Sequence, residues 1–361
     1  MSMLRRVWFA GGLFVLLLMV AGCDGGPGDE TTEETTEETT TPTEEPGAEE
    51  PAPFIGPDLV LTFQTSDAGL PSDPLLTEVG FEATDAFGPL IPPSGRQTGP
   101  HWNPEGPEIV YASEIGSGYD TELFIVDAET GIVRELTHVI DDGDGESASQ
   151  PAWSPDGTEI ACTIHRLNAS FESRNWIAII DAVTGELLDD LSDAEDFDHG
   201  HPTWAPAADG RIAFVRNGEL WVRPRDLSEG PALLHSRVES VEDPSWSPLG
   251  MQIAFSSEGR IWVLDLETGL ETRITSYDGS ERAGDYSPCW TGDGAAIVFT
   301  RSVDGRSYAE LKVVRLDEDP LEARPIAGLK AYLESLGIAE VQDSGVYAGE
   351  PAVNPKAVLA E

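Results

Sequence analysis

The stretch Gln150 to Cys162, QPAWSPDGTEIAC, returns in close copy four more times at intervals of about 40 to 50 residues, and this repeat limits what the chain can fold into. A proline two residues before a tryptophan recurs at Pro100/Trp102, Pro151/Trp153, Pro202/Trp204, Pro244/Trp246 and Pro288/Trp290. An aliphatic-rich triplet follows each tryptophan, running from Ile109-Val110-Tyr111 in the first copy to Ile297-Val298-Phe299 in the last. A unit of this length cannot bury its apolar face alone and needs neighbours, so the period means a solenoid or a propeller.

Within each unit a second apolar run ends in aspartate, as in Leu123 to Asp127, Trp176 to Asp181 and Ile261 to Asp265. Thr-Gly pairs follow at Thr130-Gly131, Thr184-Gly185 and Thr268-Gly269, and a fourth short run closes the unit. Asp bonds nearby backbone and Gly accepts positive φ, so these are turns between strands. Four short strands per unit predict an all-β fold, a β-propeller of four-stranded blades. The five tryptophans, Trp102, Trp153, Trp204, Trp246 and Trp290, are its structural anchors between blades, and each proline is expected at the start of an inner strand.

Five clear repeats over 100–320 leave the ring to be closed. Leu59 to Ser66 resembles a second blade strand, and Glu350-Pro351-Ala352-Val353-Asn354-Pro355 resembles a degenerate copy of the repeat with Val for Trp. Segments 58–99 and 345–361 would then clasp into a sixth blade and remove the open edges. Six blades is the expectation, with five or seven left open. Leu329 to Leu336 reads as a short helix outside the ring.

P-x-W-S-P-D-G, then I-A-F, then I-x-V-x-D-x-x-T-G, resembles the WD-like propeller repeat of the TolB family, which also occurs in prolyl-oligopeptidase-type peptidases. The resemblance covers about residues 100 to 320 and implies the fold more than the function, since such blades serve unrelated tasks. The separate amino-terminal α/β domain of that family has no counterpart in this sequence.

Residues 1–22 read as a signal peptide. Arg5 and Arg6 precede the apolar run Gly11 to Val20, which ends in Val20-Ala21-Gly22-Cys23. Those four residues resemble a bacterial lipobox, which implies lipid attachment at Cys23. Residues 23–53 follow as anchor and tether. Positions 24–53 are a Thr/Glu tract with eleven acids and no base, unable to offset its ordering entropy and expected to be disordered. Residues 54–361 form the propeller. The expected location is exported and anchored to the cell envelope: the periplasmic face of the inner membrane in a Gram-negative cell, the cell surface otherwise.

Charge excludes some partners. The net charge of −45, from 66 acidic and 21 basic residues, argues against nucleic acid, whose phosphates need a basic surface. It also argues against docking on anionic lipid except through the lipid anchor. No G-x-S-x-G, H-E-x-x-H, C-x-x-C or phosphate loop occurs; the nearest miss is Gly145-Glu146-Ser147-Ala148-Ser149.

Two loops are candidate sites. Asp198, His199 and His201 enter an inner strand before Pro202, and two imidazoles with a carboxylate suit a transition metal. Asp141, Asp142, Asp144 and Glu146 precede the preceding blade's strand, and dense carboxylates suit calcium. Hydrated surface loops are the alternative for both. Cys162 and Cys289 fall on opposite sides of a six-fold ring and read as buried thiols. The functional expectation is a non-enzymatic, membrane-tethered module that binds an envelope protein or peptide. The alternative is a metal-assisted polysaccharide lyase or hydrolase working in the funnel, as the resemblance to propeller lyases with metal-binding histidines implies.

Overall fold

Each repeat folds into one antiparallel four-stranded sheet. In the computed structural model, described residues run from 58 to 356, apart from 65–74, 80, 82–85, 91–94, 116–119, 138–145, 168–172, 192–197, 207–209, 238, 277–282, 304–308, 319–320 and 337–346. Blade one is Gln97–Trp102, Glu108–Glu114, Thr121–Asp127 and Val133–Glu135. Blade two is Glu146–Trp153, Glu159–Leu167, Ser173–Asp181 and Leu187–Asp190. Blade three is His199–Trp204, Arg211–Arg216, Glu219–Pro224 and Ala232–His235. Blade four is Glu242–Trp246, Gln252–Ser257, Arg260–Asp265 and Glu271–Arg273. Blade five is Ala283–Trp290, Ala296–Val303, Ala309–Arg315 and Ala323–Pro325.

The sixth blade is assembled from both ends of the propeller. Tyr347–Val353 pairs with Leu59–Gln64, which pairs with Leu75–Val79, which pairs with Ala86–Pro89. Thr62 Oγ1 donates to the Gly349 carbonyl at 2.9 Å across this seam. The closure expected from the degenerate repeat is therefore present, and the fold is an all-β, six-bladed propeller. A single parallel contact, Ala309 to Tyr347, joins blade five to blade six.

Burial falls from the second strand of a blade to its fourth. Ile109, Val110, Tyr111, Ile160, Ala161 and Cys162 are buried, whereas Glu271–Arg273 is exposed throughout. The apolar triplets thus form the cores between neighbouring blades, with Val110, Leu123, Trp153 and Ile160 in one cluster across blades one and two. The Asp-Thr-Gly turns form as expected. Asp181 Oδ1 accepts the Val183 and Thr184 amides at 3.0 and 2.7 Å, and Gly185 takes φ 73° where the chain reverses.

The helix spans Ala327–Ser335, two residues ahead of the expected start, and its Leu329, Tyr332 and Leu333 are buried. Tyr332 meets Phe63 of blade six edge to face at 5.4 Å. The prolines depart from expectation. Pro151 is the sixth residue of an eight-residue strand, not its first. Ladder register breaks between Ser149 and Ala152, and similarly in the other first strands, so the proline sits in a β-bulge where its missing N–H leaves no gap in the ladder.

Candidate functional site: the central channel

The bulge turns the residue before each proline toward the ring axis. Gly99, Gln150, His201, Asp243, Ser287 and Glu350 all have left-handed backbone, with φ between 48° and 58°. For the five that carry a Cβ this costs roughly 1–2 kcal/mol each, and it recurs at one place in every blade.

The six residues encircle the channel and are hydrogen-bonded in two arcs, Glu350–Gly99 and Gln150–His201–Asp243–Ser287, with an alternating pattern of acceptors. Glu350 Oε2 accepts the Gly99 amide at 2.9 Å, Gln150 Oε1 accepts the His201 amide at 3.0 Å, and Asp243 Oδ2 accepts the Ser287 amide at 3.1 Å. Long acceptors on blades six, two and four thus satisfy left-handed amides on blades one, three and five. His201 joins two of these units: Nδ1 lies 2.9 Å from Asp243 Oδ1, and Nε2 lies 2.9 Å from Gln150 Nε2. A carboxylate only accepts and an amide nitrogen only donates, so His201 is the neutral Nδ1–H tautomer. Thr163 Oγ1 donates to Gln150 Oε1 at 2.7 Å and fixes that amide's orientation.

The two ring carboxyls are pushed in opposite directions. Burial would raise Asp243, but hydrogen bonds from His201 and Ser287 outweigh it and hold the carboxyl below its usual range. Burial raises Glu350, and the Asp243 charge adds to the rise.

Two chambers adjoin along the channel, meeting at residues next to this ring in sequence. The polar one, of about 410 Å³, is lined by all six ring residues together with Thr98, Ser149 and the prolines. The other, of about 330 Å³, is walled by Trp102, Trp153, Trp204, Trp246 and Trp290 with Pro104, Pro155, Pro206 and Pro248. His101, Thr203, Ser245 and Cys289 line both. Desolvation lowers the His101 pKa to about 4, so its imidazole is neutral.

The tryptophans do anchor neighbouring blades. The indole N–H groups of Trp102, Trp204 and Trp290 donate to Ala352, Ala152 and Ser245 carbonyls of the preceding blade, each at 3.0 Å. In the other two blades the backbone makes the link: the Trp153 amide donates to His101 Nδ1 at 3.3 Å and the Trp246 amide to Thr203 Oγ1 at 3.2 Å. The same side chains wall a chamber as well, a role beyond packing.

The sequence-predicted site residues separate. His201 faces the channel, His199 is buried against Phe214, and Asp198 bonds Asn175 through its Oδ1. Asp141, Asp142 and Asp144 lie outside the described residues. Glu146 is buried and ion-paired with Arg166. Among the described residues no group of three or more His, Cys, Asp or Glu side chains converges on a point a metal ion could occupy. Burial pushes the Cys162 thiol up to about 12 and Cys289 up to about 11, so both stay protonated. The ring itself was missed by sequence reasoning, although its signal was present: the position before each repeat proline is aligned in all six copies.

No family model matches the chain. Two curated proteins are 25% identical to parts of it. They are an uncharacterized peptidase, YuxL, of Bacillus subtilis, over 45% of this chain and 22% of its own length, and an uncharacterized protein, Atu1656, of Agrobacterium fabrum, over 43% and 52%. The chain thus spans about half or less of the curated relatives it matches. Among solved structures it is similar to TolB from Acinetobacter baumannii, with TM-score 0.59 and 18% identity over 82% of this chain and 66% of that one. A putative TolB from Agrobacterium tumefaciens matches at TM-score 0.52 and 14% identity, over 74% and 88%. Hydrazine synthase of Kuenenia stuttgartiensis matches at TM-score 0.60 and 11% identity, over 83% and 47%. At these identities the likeness concerns the fold, and it agrees with the repeat motifs: the chain has the TolB-like six-bladed β-propeller fold.

Proposed function

We propose that this protein is a membrane-tethered, extracytoplasmic propeller that binds a segment of an envelope protein or peptide in its central channel. The two-chamber channel carries the reading. An apolar chamber of about 330 Å³ walled by tryptophan and proline takes an apolar side chain, and the adjoining ring offers carboxylate and amide groups to polar neighbours. Left-handed backbone at five non-glycine positions supports a preorganised site, since such conformations persist where the surroundings fix them. The signal peptide and Cys23 support export and lipid attachment, and the acidic tract 24–53 supports a tether. No helix among the described residues is long and apolar enough to cross a membrane.

The test is chemical crosslinking of the full chain in its native envelope, followed by identification of the partner by mass spectrometry. Ser245 lines both chambers, so Ser245→Trp is expected to abolish the crosslinked species, while Leu188→Asp on an outer strand leaves it intact. Crosslinks that persist in Ser245→Trp would overturn the channel as the binding site. Cys23→Ser is expected to move the protein from the membrane fraction to the soluble one.

A further inference from the structure

A second relay lies beside the ring at the polar mouth of the channel, on blade two. Ser149 Oγ is 2.6 Å from His165 Nε2, and His165 Nδ1 is 2.7 Å from Asn175 Oδ1. Asn175 Nδ2 in turn donates to Asp198 Oδ1. Each protonation state follows from the one before it. A carboxylate only accepts, so Asp198 orients the Asn175 amide with its nitrogen toward the carboxylate and its oxygen toward the imidazole. That oxygen also only accepts, so His165 carries a proton on Nδ1. In the neutral imidazole Nε2 is then the lone pair, and it faces the Ser149 hydroxyl. A hydroxyl bonded to an imidazole whose far nitrogen is held by a third group is the arrangement that activates a serine nucleophile.

The same mouth supplies a position for a developing oxyanion. Around the ring, side chains of Glu350, Gln150 and Asp243 cover the left-handed amides of the next blade. Gly99, which precedes Gln150 in this order, has no side chain to offer. A Cβ built on Gly99 would lie 3.8 Å from the Gln150 nitrogen, with its nearest contact at 3.6 Å; these are ordinary van der Waals separations, so a side chain at this position would fit against the amide following Ser149, where glycine leaves that place unfilled. The amide after the nucleophile is a recurrent oxyanion donor. Ser149, Gly99 and Gln150 all line the 410 Å³ chamber, and His165, Asn175 and Asp198 line an adjoining cavity of about 260 Å³.

We infer that Ser149 and His165 form a nucleophile–base pair that cleaves carboxylic esters, with Asn175 and Asp198 as positioning residues. Ser149 Oγ bonds to the acyl carbon as its proton passes to His165 Nε2. The carbon–oxygen bond to the alcohol then breaks, and the alcohol leaves with that proton. Water repeats the sequence, giving a proton to Nε2 as its oxygen bonds to the acyl carbon; the bond from that carbon to Ser149 Oγ then breaks, Oγ takes the proton back from Nε2, and the carboxylic acid leaves. With −45 net charge on the chain, neutral and cationic esters are the substrate class. This activity uses groups separate from the tryptophan-walled chamber and does not depend on partner binding.

The test is reaction of the full chain with a fluorophosphonate probe, peptide mapping of the adduct, and p-nitrophenyl acetate hydrolysis. A single adduct on Ser149 is expected, absent in Ser149→Ala, with hydrolysis reduced on the order of 10²-fold or more in His165→Gln. Asp198→Asn frees the Asn175 amide to reverse, so kcat is expected to fall with KM unchanged. Gly99→Asn keeps a residue that tolerates left-handed backbone and covers the Gln150 amide; it is expected to lose hydrolysis while keeping the melting temperature within a few degrees. No adduct on the wild-type chain, an adduct spread over many serines, or hydrolysis equal in Ser149→Ala would overturn the inference. The wild-type labelling result needs no variant to fold.

Discussion

Gln150 holds φ at 51° immediately before a proline, a place where extended backbone is the ordinary preference. The strain persists because its side chain is held by Thr163 and His201 and in turn caps the His201 amide. Ala and Gly should therefore reverse their usual order here. Both substitutions lose the hydrogen bonds, but Gln150→Gly also relieves the left-handed cost, so it should be more stable than Gln150→Ala by about 1 kcal/mol in denaturant unfolding. Equal stabilities would mean that the backbone is not strained. These residues were hard to read from sequence for a physical reason. What the six positions share is a backbone conformation, while their side chains are Gly, Gln, His, Asp, Ser and Glu. His201 was singled out as an imidazole beside another imidazole, yet its neighbours in space are Gln150 and Asp243, from the blades on either side.

The elements were far more legible than the site. Tryptophan and triplet positions mark the first and second strands, and the Asp-Thr-Gly turns mark the end of the third, because these are local and repeat in register. Even the closing strand was visible as Glu350-Pro351 with Val353 in the tryptophan place. Ser149, His165 and Asn175 were not visible together, since they lie on three successive strands and the pairing of those strands, not sequence spacing, brings them into contact. The third-strand tryptophans Trp176, Trp221 and Trp262 pack against the cores between blades, and the guanidinium groups of Arg216 and Arg237 lie 4.7 and 3.9 Å over the rings of Trp221 and Trp262. At this scale the seam is the sensitive element. Ending the chain before Tyr347 uncovers the edge of Leu59–Gln64 and takes the Ala352 acceptor from Trp102. The shortened chain should self-associate by light scattering and melt on the order of 10 °C or more below the full chain.

For the whole molecule, acidity and the ring set a dome in stability against pH. Glu78 is raised by burial to about 6, and Glu350 is raised by burial and by Asp243. A carboxyl whose folded value lies above its unfolded one favours the fold when protonated, so stability rises as pH falls through the folded value. The turn aspartates act in the opposite sense. Asp156, Asp181 and Asp265 are lowered by hydrogen bonds from Ser154, Thr184 and Thr268, so their contribution is present above the usual 3.8 and is lost as pH falls through their folded values. The melting temperature should therefore peak between about pH 4 and pH 6 and decline on both sides. Glu350→Gln keeps an acceptor for the Gly99 amide and should flatten the neutral side of that dome; an unchanged profile would remove Glu350 from this account.

The seam between Leu59–Gln64 and Tyr347–Val353 also sets a clock. Thr62 and Gly349 are 287 positions apart, so the contact that turns an arc of blades into a ring joins segments synthesised far apart in time. Five blades can pair locally as they emerge, but the propeller's earliest strand waits for its partner while all five are made. Until then Val60 and Leu61, fully buried in the finished ring, lack the neighbour that covers them. The nascent propeller closes only when its sixth blade is completed, and anything that must act on the open arc has the synthesis of five blades in which to do so.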